Sequence, residues 1–527
     1  MSADVLRRSG TTSGTRLLLR LALRRDRVIA PAWIGGLALM SLASAAATPG
    51  LYPDAASRAH AAAGINASPA LVALYGPILD VRSAGELAMT KLTVLYAVLV
   101  AALFLVLVRR HTRVEEEIGR TELLAGTSMG RDAPLTAAVA EAVLLAAVLG
   151  TVTAVVNTAC GLDPAGSVAF GGVWAGTALV ATGIGAVTAQ VSASARTCGG
   201  WAAATVGILF VLRAVGDTGP GWMSWLSPFG WNTQVRAYSG TRWWLLLLHL
   251  LLAGALLTAA RALRARRDLA AGLFAPRPGP ASGSSRLGGT LALALRIHAT
   301  TLVLWTVATA ALGIVFGIIA PGVGDLLESD LAQSVLDRLG DVLVAAILSV
   351  VAVVIGYFAA TVVSHAGRDE DQGRAELVLS TTVSRARWFG ATVTVALLGS
   401  AWLLLVTGVG LWIGYAVAGG PGIGNLLVAA LAWAPATWVV GALSALCLAI
   451  RPSWAVAAWG WPAAFLTLSL VGDLLELPGW FVDLSPYAHV PALPAESWDW
   501  GAELGLTLVA AALLLLAGRL FQRRDIG

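Results

Sequence analysis

Apolar residues in this chain gather into long runs separated by short, charged segments. Twelve runs can be marked. Six lie near 28–48, 89–108, 134–157, 166–190, 198–215 and 242–262, and six near 299–320, 341–363, 389–418, 424–449, 453–472 and 501–520. Each approaches the roughly twenty residues that cross a hydrocarbon core of about 30 Å as an α-helix. The pattern predicts an all-α membrane protein with twelve transmembrane helices.

Composition agrees. Of the 527 residues, 57% are hydrophobic and 12% are charged, with a mean hydropathy of +0.78. A soluble domain carries about 25% charged residues. The charges also orient the runs. With a cytoplasmic N-terminus, inner segments hold 28 of the 35 basic residues and outer segments hold seven: Arg58, Arg82, Lys91, Arg213, Arg236, Arg242 and Arg338. This excess alternates correctly through every loop, as the positive-inside rule requires. Both termini are then expected on the cytoplasmic side. The arginine-rich start followed by Ala45-Ala46-Ala47 also fits a cleaved secretory signal. Against that reading, the run is of spanning length and has a counterpart inside the chain, where no cleavage occurs.

That counterpart belongs to an internal duplication. Residues 111–131 align with 365–385 at a constant offset of 254, without a gap. Eight positions agree: His111/His365, Glu116/Glu370, Gly119/Gly373, Arg120/Arg374, Glu122/Glu376, Leu123/Leu377, Thr127/Thr381 and Arg131/Arg385. Further pairs keep the same order. Leu21-Ala22-Leu23-Arg24 matches Leu293-Ala294-Leu295-Arg296, Gly216-Asp217 matches Gly472-Asp473, Ser227-Pro228-Phe229 matches Ser485-Pro486-Tyr487, and Arg266-Arg267-Asp268 matches Arg523-Arg524-Asp525. Six runs per half is an even number, so both halves start from the same side and form a parallel repeat. The expected divisions are a first half over 1–263, a linker over 264–290 containing Pro276, Pro278 and Pro280, and a second half over 291–527.

The segment after the second run of each half is the most charged part of the repeat. Residues 109–131 carry nine charges and 368–387 carry eight. A charge at the bilayer centre costs about 2.5–3.5 kcal/mol on insertion scales, so both segments are expected in water as helices. Glu116 to Arg120 and Glu370 to Arg374 are spaced for i,i+4 ion pairs with the acid first, worth about 0.3–0.5 kcal/mol. Gly119 and Gly373 suggest a bend or close contact. One such hairpin reads as a solvated connector. Two copies with the same residues at the same depth suit a docking surface for a twofold-symmetric partner.

The pattern E-E-x-G-R-x-E-L-L in this segment, with Arg131 following, resembles permease subunits of ABC exporters of the ABC-2 class. More closely, the chain is similar to the fused, double-length actinobacterial antibiotic or multidrug (tetronasin-like) exporters, over nearly its whole length. The resemblance implies amphipathic elbow helices at 16–27 and 286–298, and coupling helices at about 111–131 and 365–385. It assigns contact with an ATPase to Glu116, Gly119, Arg120, Glu122, Leu123 and Arg131, and to Glu370, Gly373, Arg374, Glu376, Leu377 and Arg385. It further implies two copies of a separate nucleotide-binding ATPase subunit carrying ATP and Mg. It also implies a bacterial plasma (inner) membrane location among lipids, and export of an amphipathic compound such as an antibiotic, drug or lipid. Arg113 stands where the second copy has Gly367, so the two coupling surfaces are not identical.

The chain does not supply the ATPase itself. A P-loop needs G-x-x-x-x-G-K-[ST], and the sole lysine, Lys91, follows Met89-Thr90. No catalytic motif appears, and Cys160, Cys198 and Cys447 form no C-x-x-C pair. The scattered histidines predict no metal site and no cofactor in this chain. Glu141 and His249 lie inside runs and are candidates for the substrate path. Trp222, Trp225 and Trp231, with Trp480, Trp498 and Trp500, surround the SPF and SPY turns. They read as an aromatic belt at the headgroups. In the functional alternative, Trp225, Pro228, Phe229, Pro486 and Tyr487 form an outer gate. The arginines follow topology instead of forming one face, so lipid headgroups, and not nucleic acid, are the expected partner. A remaining alternative is an ion-coupled transporter of the major-facilitator type, which needs intramembrane acids. Glu141 is the one plausible such acid.

Overall fold

The computed structural model describes residues 11–67, 69–268, 271–274, 288–322, 333–418, 425–471 and 479–524. The chain divides into two compact units, Met1–Gly279 and Pro280–Gly527. The boundary lies within the proline-rich 264–290 segment.

The first unit is built from α1 (Thr15–Arg25), α2 (Ile29–Leu51), α3 (Ala55–Ala67), α4 (Pro69–Tyr75), α5 (Ala84–His111), α6 (Arg113–Glu117), α7 (Arg120–Ala125), α8 (Ala133–Ala159), α9 (Pro164–Val191), α10 (Ala195–Thr218), α11 (Pro228–Gln234) and α12 (Trp244–Ala265). The short α1 carries arginines and leucines in helical alternation and buries only Ala22. It ends at Asp26, whose N–H donates to the Ala22 carbonyl at 2.9 Å.

The centre of this unit is α9, which packs on α5, α8, α10 and α12. Its sequence explains that position. Glycine, alanine and threonine recur along it, so neighbouring backbones approach closely, the usual means of packing helices where lipid removes the hydrophobic driving force. A Cβ added to Gly171 would sit 2.2 Å from the Gly150 carbonyl oxygen of α8. Two large side chains, Phe170 and Trp174, are fully buried, and Trp174 donates its indole N–H to the Leu92 carbonyl at 3.0 Å.

The second unit contains α13 (Thr290–Gly322), α14 (Gln333–Asp371), α15 (Arg374–Leu379), α16 (Arg385–Val417), α17 (Leu426–Leu431), α18 (Ala434–Ile450), α19 (Gly460–Val471), α20 (Gly479–Val482) and α21 (Trp500–Arg523). Here α18 occupies the central place, against α14, α16 and α21. The tightest crossing joins α13 to α16. Gly313 and Gly317 face Gly410 and Gly414, and a Cβ on Gly414 would lie 2.2 Å from the Ile314 carbonyl oxygen.

Among the described residues, eleven helices are long and apolar enough to span a membrane, where the pattern predicted twelve. The exception is the 453–472 run. It forms a 3₁₀ helix over Pro452–Trp459 followed by the short α19. Gly460 and Pro462 interrupt it, since proline lacks the N–H that a continuous helix needs. Its first-half counterpart, α10, runs unbroken for 24 residues. The second elbow also differs from expectation. Residues 290–298 form the start of one 33-residue helix that continues into the first span of this half. In the first half the elbow is separated from the span at Asp26–Val28.

The close crossing of α13 and α16 gives a direct test. Gly414→Leu has to drive the backbones apart and is expected to destabilise the protein by more than the roughly 1–3 kcal/mol typical of overpacking. Gly254→Leu on α12, which has open space around it, is expected to be nearly neutral. Fluorescence-detected size exclusion and thermal unfolding in detergent distinguish the two, and equal behaviour would contradict the assigned packing.

Candidate functional site: the paired hairpins after the second span

In both units the second span continues into a hairpin that turns on a left-handed glycine. Gly119 has φ +76° and Gly373 has φ +70°, so a side chain at either position is strained. This backbone reversal separates the two arms of each hairpin, and the expected i,i+4 pairs do not form.

The ion pairs that form instead cross the glycine or reach the far end of the same unit. Arg120 pairs with Glu115 (3.3 Å), and Arg374 pairs with Asp369 through Nε at 2.8 Å and Nη2 at 2.5 Å. Glu115 is also held by Arg25 of α1 at 2.7 Å, which fixes the elbow to the hairpin. These pairs lie in partial contact with water, where one is worth about 0–1 kcal/mol.

Glu116 and Glu370 face the other way. Glu116 is buried and receives Arg113 from its own helix and Arg267 Nη2 at 2.8 Å. Arg267 also donates to Gln190 Oε1 at 2.8 Å and to the Ala271 carbonyl at 2.9 Å. Arg131 closes the arrangement with Nη2 on the Arg267 carbonyl at 2.6 Å. The second unit repeats it: Glu370 pairs with Arg524, Arg524 Nη1 donates to the Leu448 carbonyl at 2.8 Å, and Arg385 donates to the Arg524 carbonyl at 2.7 Å. Each hairpin is thus clamped to the segment following the last span of its own half.

Four of the residues assigned to partner contact, Glu116, Arg131, Glu370 and Arg385, therefore hold the hairpin to its own unit. The residues left outward are Arg120, Glu122, Leu123, Arg374, Glu376 and Leu377. Leu123 is 79% exposed and Leu377 is 73% exposed, each next to charged neighbours. Arg267 and Arg524 were visible in the sequence only as members of a duplicated Arg-Arg-Asp ending. Their pairing with the duplicated glutamates is what the repeat preserved.

The Arg113/Gly367 difference has a packing cause. The Arg113 guanidinium is buried, donating to the Ser192 carbonyl at 2.5 Å and the Ala271 carbonyl at 2.8 Å. Gly367 instead lets α14 touch the 3₁₀ helix Pro452–Trp459 directly. A Cβ there would lie 2.6 Å from the Ala455 Cβ and 2.9 Å from the Pro452 oxygen.

The remaining candidates lie elsewhere. Glu141, on α8, is buried at the α1–α5 junction, 3.4 Å from His111 Nε2. His249 is fully buried and meets Asn232 Oδ1 at 3.0 Å through Nε2, with Trp231 edge-on at 5.3 Å. Asn232 donates onward to the Thr93 carbonyl at 3.1 Å. These contacts tie α12 to the short α11 and to α5. Ser227 caps α11, burying Pro228 and Phe229, while Trp225 stacks on Trp244 at 6.3 Å. In the second unit Pro486 and Tyr487 are buried in a 3₁₀ turn, and the Tyr487 hydroxyl donates to the Ala352 carbonyl at 3.3 Å. Gly472, Asp473 and the linker prolines lie outside the described residues.

Removing one partner of a buried ion pair leaves an uncompensated charge and costs about 3–5 kcal/mol. Glu116→Gln is expected to lower thermal stability by that order, and Glu122→Gln, on the exposed face, by no more than about 0.5 kcal/mol. Unfolding of the two purified variants side by side checks this, and an equal loss at Glu122 would contradict the clamp.

Residues 287–522 match the family model described as the C-terminal domain of the multidrug efflux system permease Rv1217c. The chain is also 38% identical to the multidrug efflux system permease protein Rv1217c of Mycobacterium tuberculosis (strain ATCC 25618 / H37Rv), over 99% of this chain and 96% of that protein.

Proposed function

This chain belongs to the family of the multidrug efflux system permease Rv1217c, and we propose that the energy for efflux enters it from separate ATPase subunits that dock on its two hairpins. The permease role follows from the family and from the eleven candidate spans. The ion-coupled alternative is not favoured.

The observation that carries the docking reading is the exposed leucine at the same place in each half. Leu123 and Leu377 stand at the tip of a charged hairpin, outside any bilayer-spanning helix, on segments too polar for lipid. Burying such a side chain fully in a partner groove contributes about 1.5–3 kcal/mol. Arg120, Glu122, Arg374 and Glu376 around it supply register and selectivity, as polar rims do at interfaces. The buried Glu116–Arg267 and part-buried Glu370–Arg524 clamps make each hairpin a rigid extension of its own half. A push on the leucine is then delivered to the second and last spans of that half together.

In this reading the hairpins and both termini face the cytoplasm of a bacterial plasma membrane. Two ATPase copies bind ATP and Mg, and their closure drives alternating access of an amphipathic substrate. The absence of a P-loop lysine in the sequence supports hydrolysis on a separate subunit.

Leu123→Asp combined with Leu377→Asp is expected to reduce permease-stimulated ATP hydrolysis at least tenfold while leaving the permease monodisperse. The measurement is ATPase activity of the co-purified complex in nanodiscs. Full stimulation by the double variant would contradict docking through these residues.

A further inference from the structure

We propose that Asp26, His111 and Glu141 form a divalent transition-cation site of the zinc class, joining the elbow helix to the second and third spans of the first half. This rests on the fold of that half and not on the docking reading.

The three residues come from three elements. Asp26 ends α1, His111 ends α5, and Glu141 lies in the first part of α8. All are buried, with Asp26 and Glu141 each 1% exposed. One donor atom from each falls within 4.8 Å of the others, and among the described residues no other such group of His, Cys, Asp and Glu occurs.

The second observation concerns Glu141. Neither of its carboxylate oxygens has a hydrogen-bond partner, although both are shielded from water. An orphaned buried carboxylate is costly, and such groups are normally paired or coordinate a metal. His111 Nε2 stands 3.4 Å from Glu141 Oε2. Donors bound to zinc at about 2.0–2.2 Å in a tetrahedron stand roughly 3.3 Å apart. The His–Glu separation already has that value. The His111–Asp26 separation is 2.7 Å and has to widen by about 0.6 Å or more to reach it.

Charge and surroundings fit as well. Arg110 Nη1 stands 2.9 Å from Asp26 Oδ1, an ion pair without a hydrogen bond, which leaves both Asp26 oxygens open to ligation. Arg25, the other nearby cation, is engaged by Glu115. Two carboxylates against one arginine leave a net negative charge when the histidine is neutral. A cleft lined by Leu21, Arg25, His111, Leu124 and Ala138 opens beside His111. Three protein ligands leave a fourth position for water.

The duplicated half is a built-in control. His365 matches His111, but His298 stands at the Asp26 position and Val395 at the Glu141 position. His365 spends its Nδ1 on Asp369 at 3.1 Å.

Full-length protein, stripped with chelator in detergent, is titrated with Co²⁺ as a spectroscopic probe and Zn²⁺ as competitor. The expected result is a single equivalent of Co²⁺ with the visible absorption of a low-coordinate site, displaced by Zn²⁺. Glu141→Gln and His111→Asn are each expected to weaken binding at least tenfold, and His365→Asn to leave it unchanged. Failure of the unmodified protein to take up either cation overturns the proposal whatever the variants do, and so does an equal loss in His365→Asn.

Discussion

A carboxylate withdrawn from water at the end of a membrane helix must be met by a fixed positive charge, and both halves meet it in the same way. Glu116 and Glu370 sit where the second span leaves the bundle, and Arg267 and Arg524 arrive from just beyond the last span. The pair is not a source of large net stability, because desolvation offsets most of the attraction. Its effect is positional. It ties together segments 151 and 154 residues apart, so that hairpin and final span behave as one piece.

That constraint separates two sets of charges that look alike in the chain. The acids and arginines on the inner face of each hairpin are consumed by the clamp, whereas those on the outer face carry only weak, solvated pairs. The left-handed glycine between them makes the separation possible. Without it, Arg120 would lie one turn beyond Glu116, and a local pair could compete with the distant one. A docking surface and a structural lock are therefore built from adjacent residues without interfering.

The halves share this lock but differ around it. The first half breaks its elbow at Asp26, buries Arg113 and places Glu141 beside His111. The second runs its elbow straight into the span, substitutes Gly367 and breaks the fifth span at Gly460 and Pro462. Duplication preserved the contacts that position the hairpin and released those that set how each half packs behind it.

The sequence by itself determined the all-α membrane class, nearly all the spans, the duplication and the location of the two charged hairpins. Lipid imposes a constraint that acts residue by residue, on length and polarity, so it can be read locally. Tertiary structure decided which acid meets which arginine, because the partner is set by where distant helices end and not by spacing along one helix. It therefore decided that Glu116 is buried and Glu370 half-buried while Leu123 and Leu377 are exposed. It also gathered Asp26, His111 and Glu141, which are scattered along the chain, to within 4.8 Å of one another.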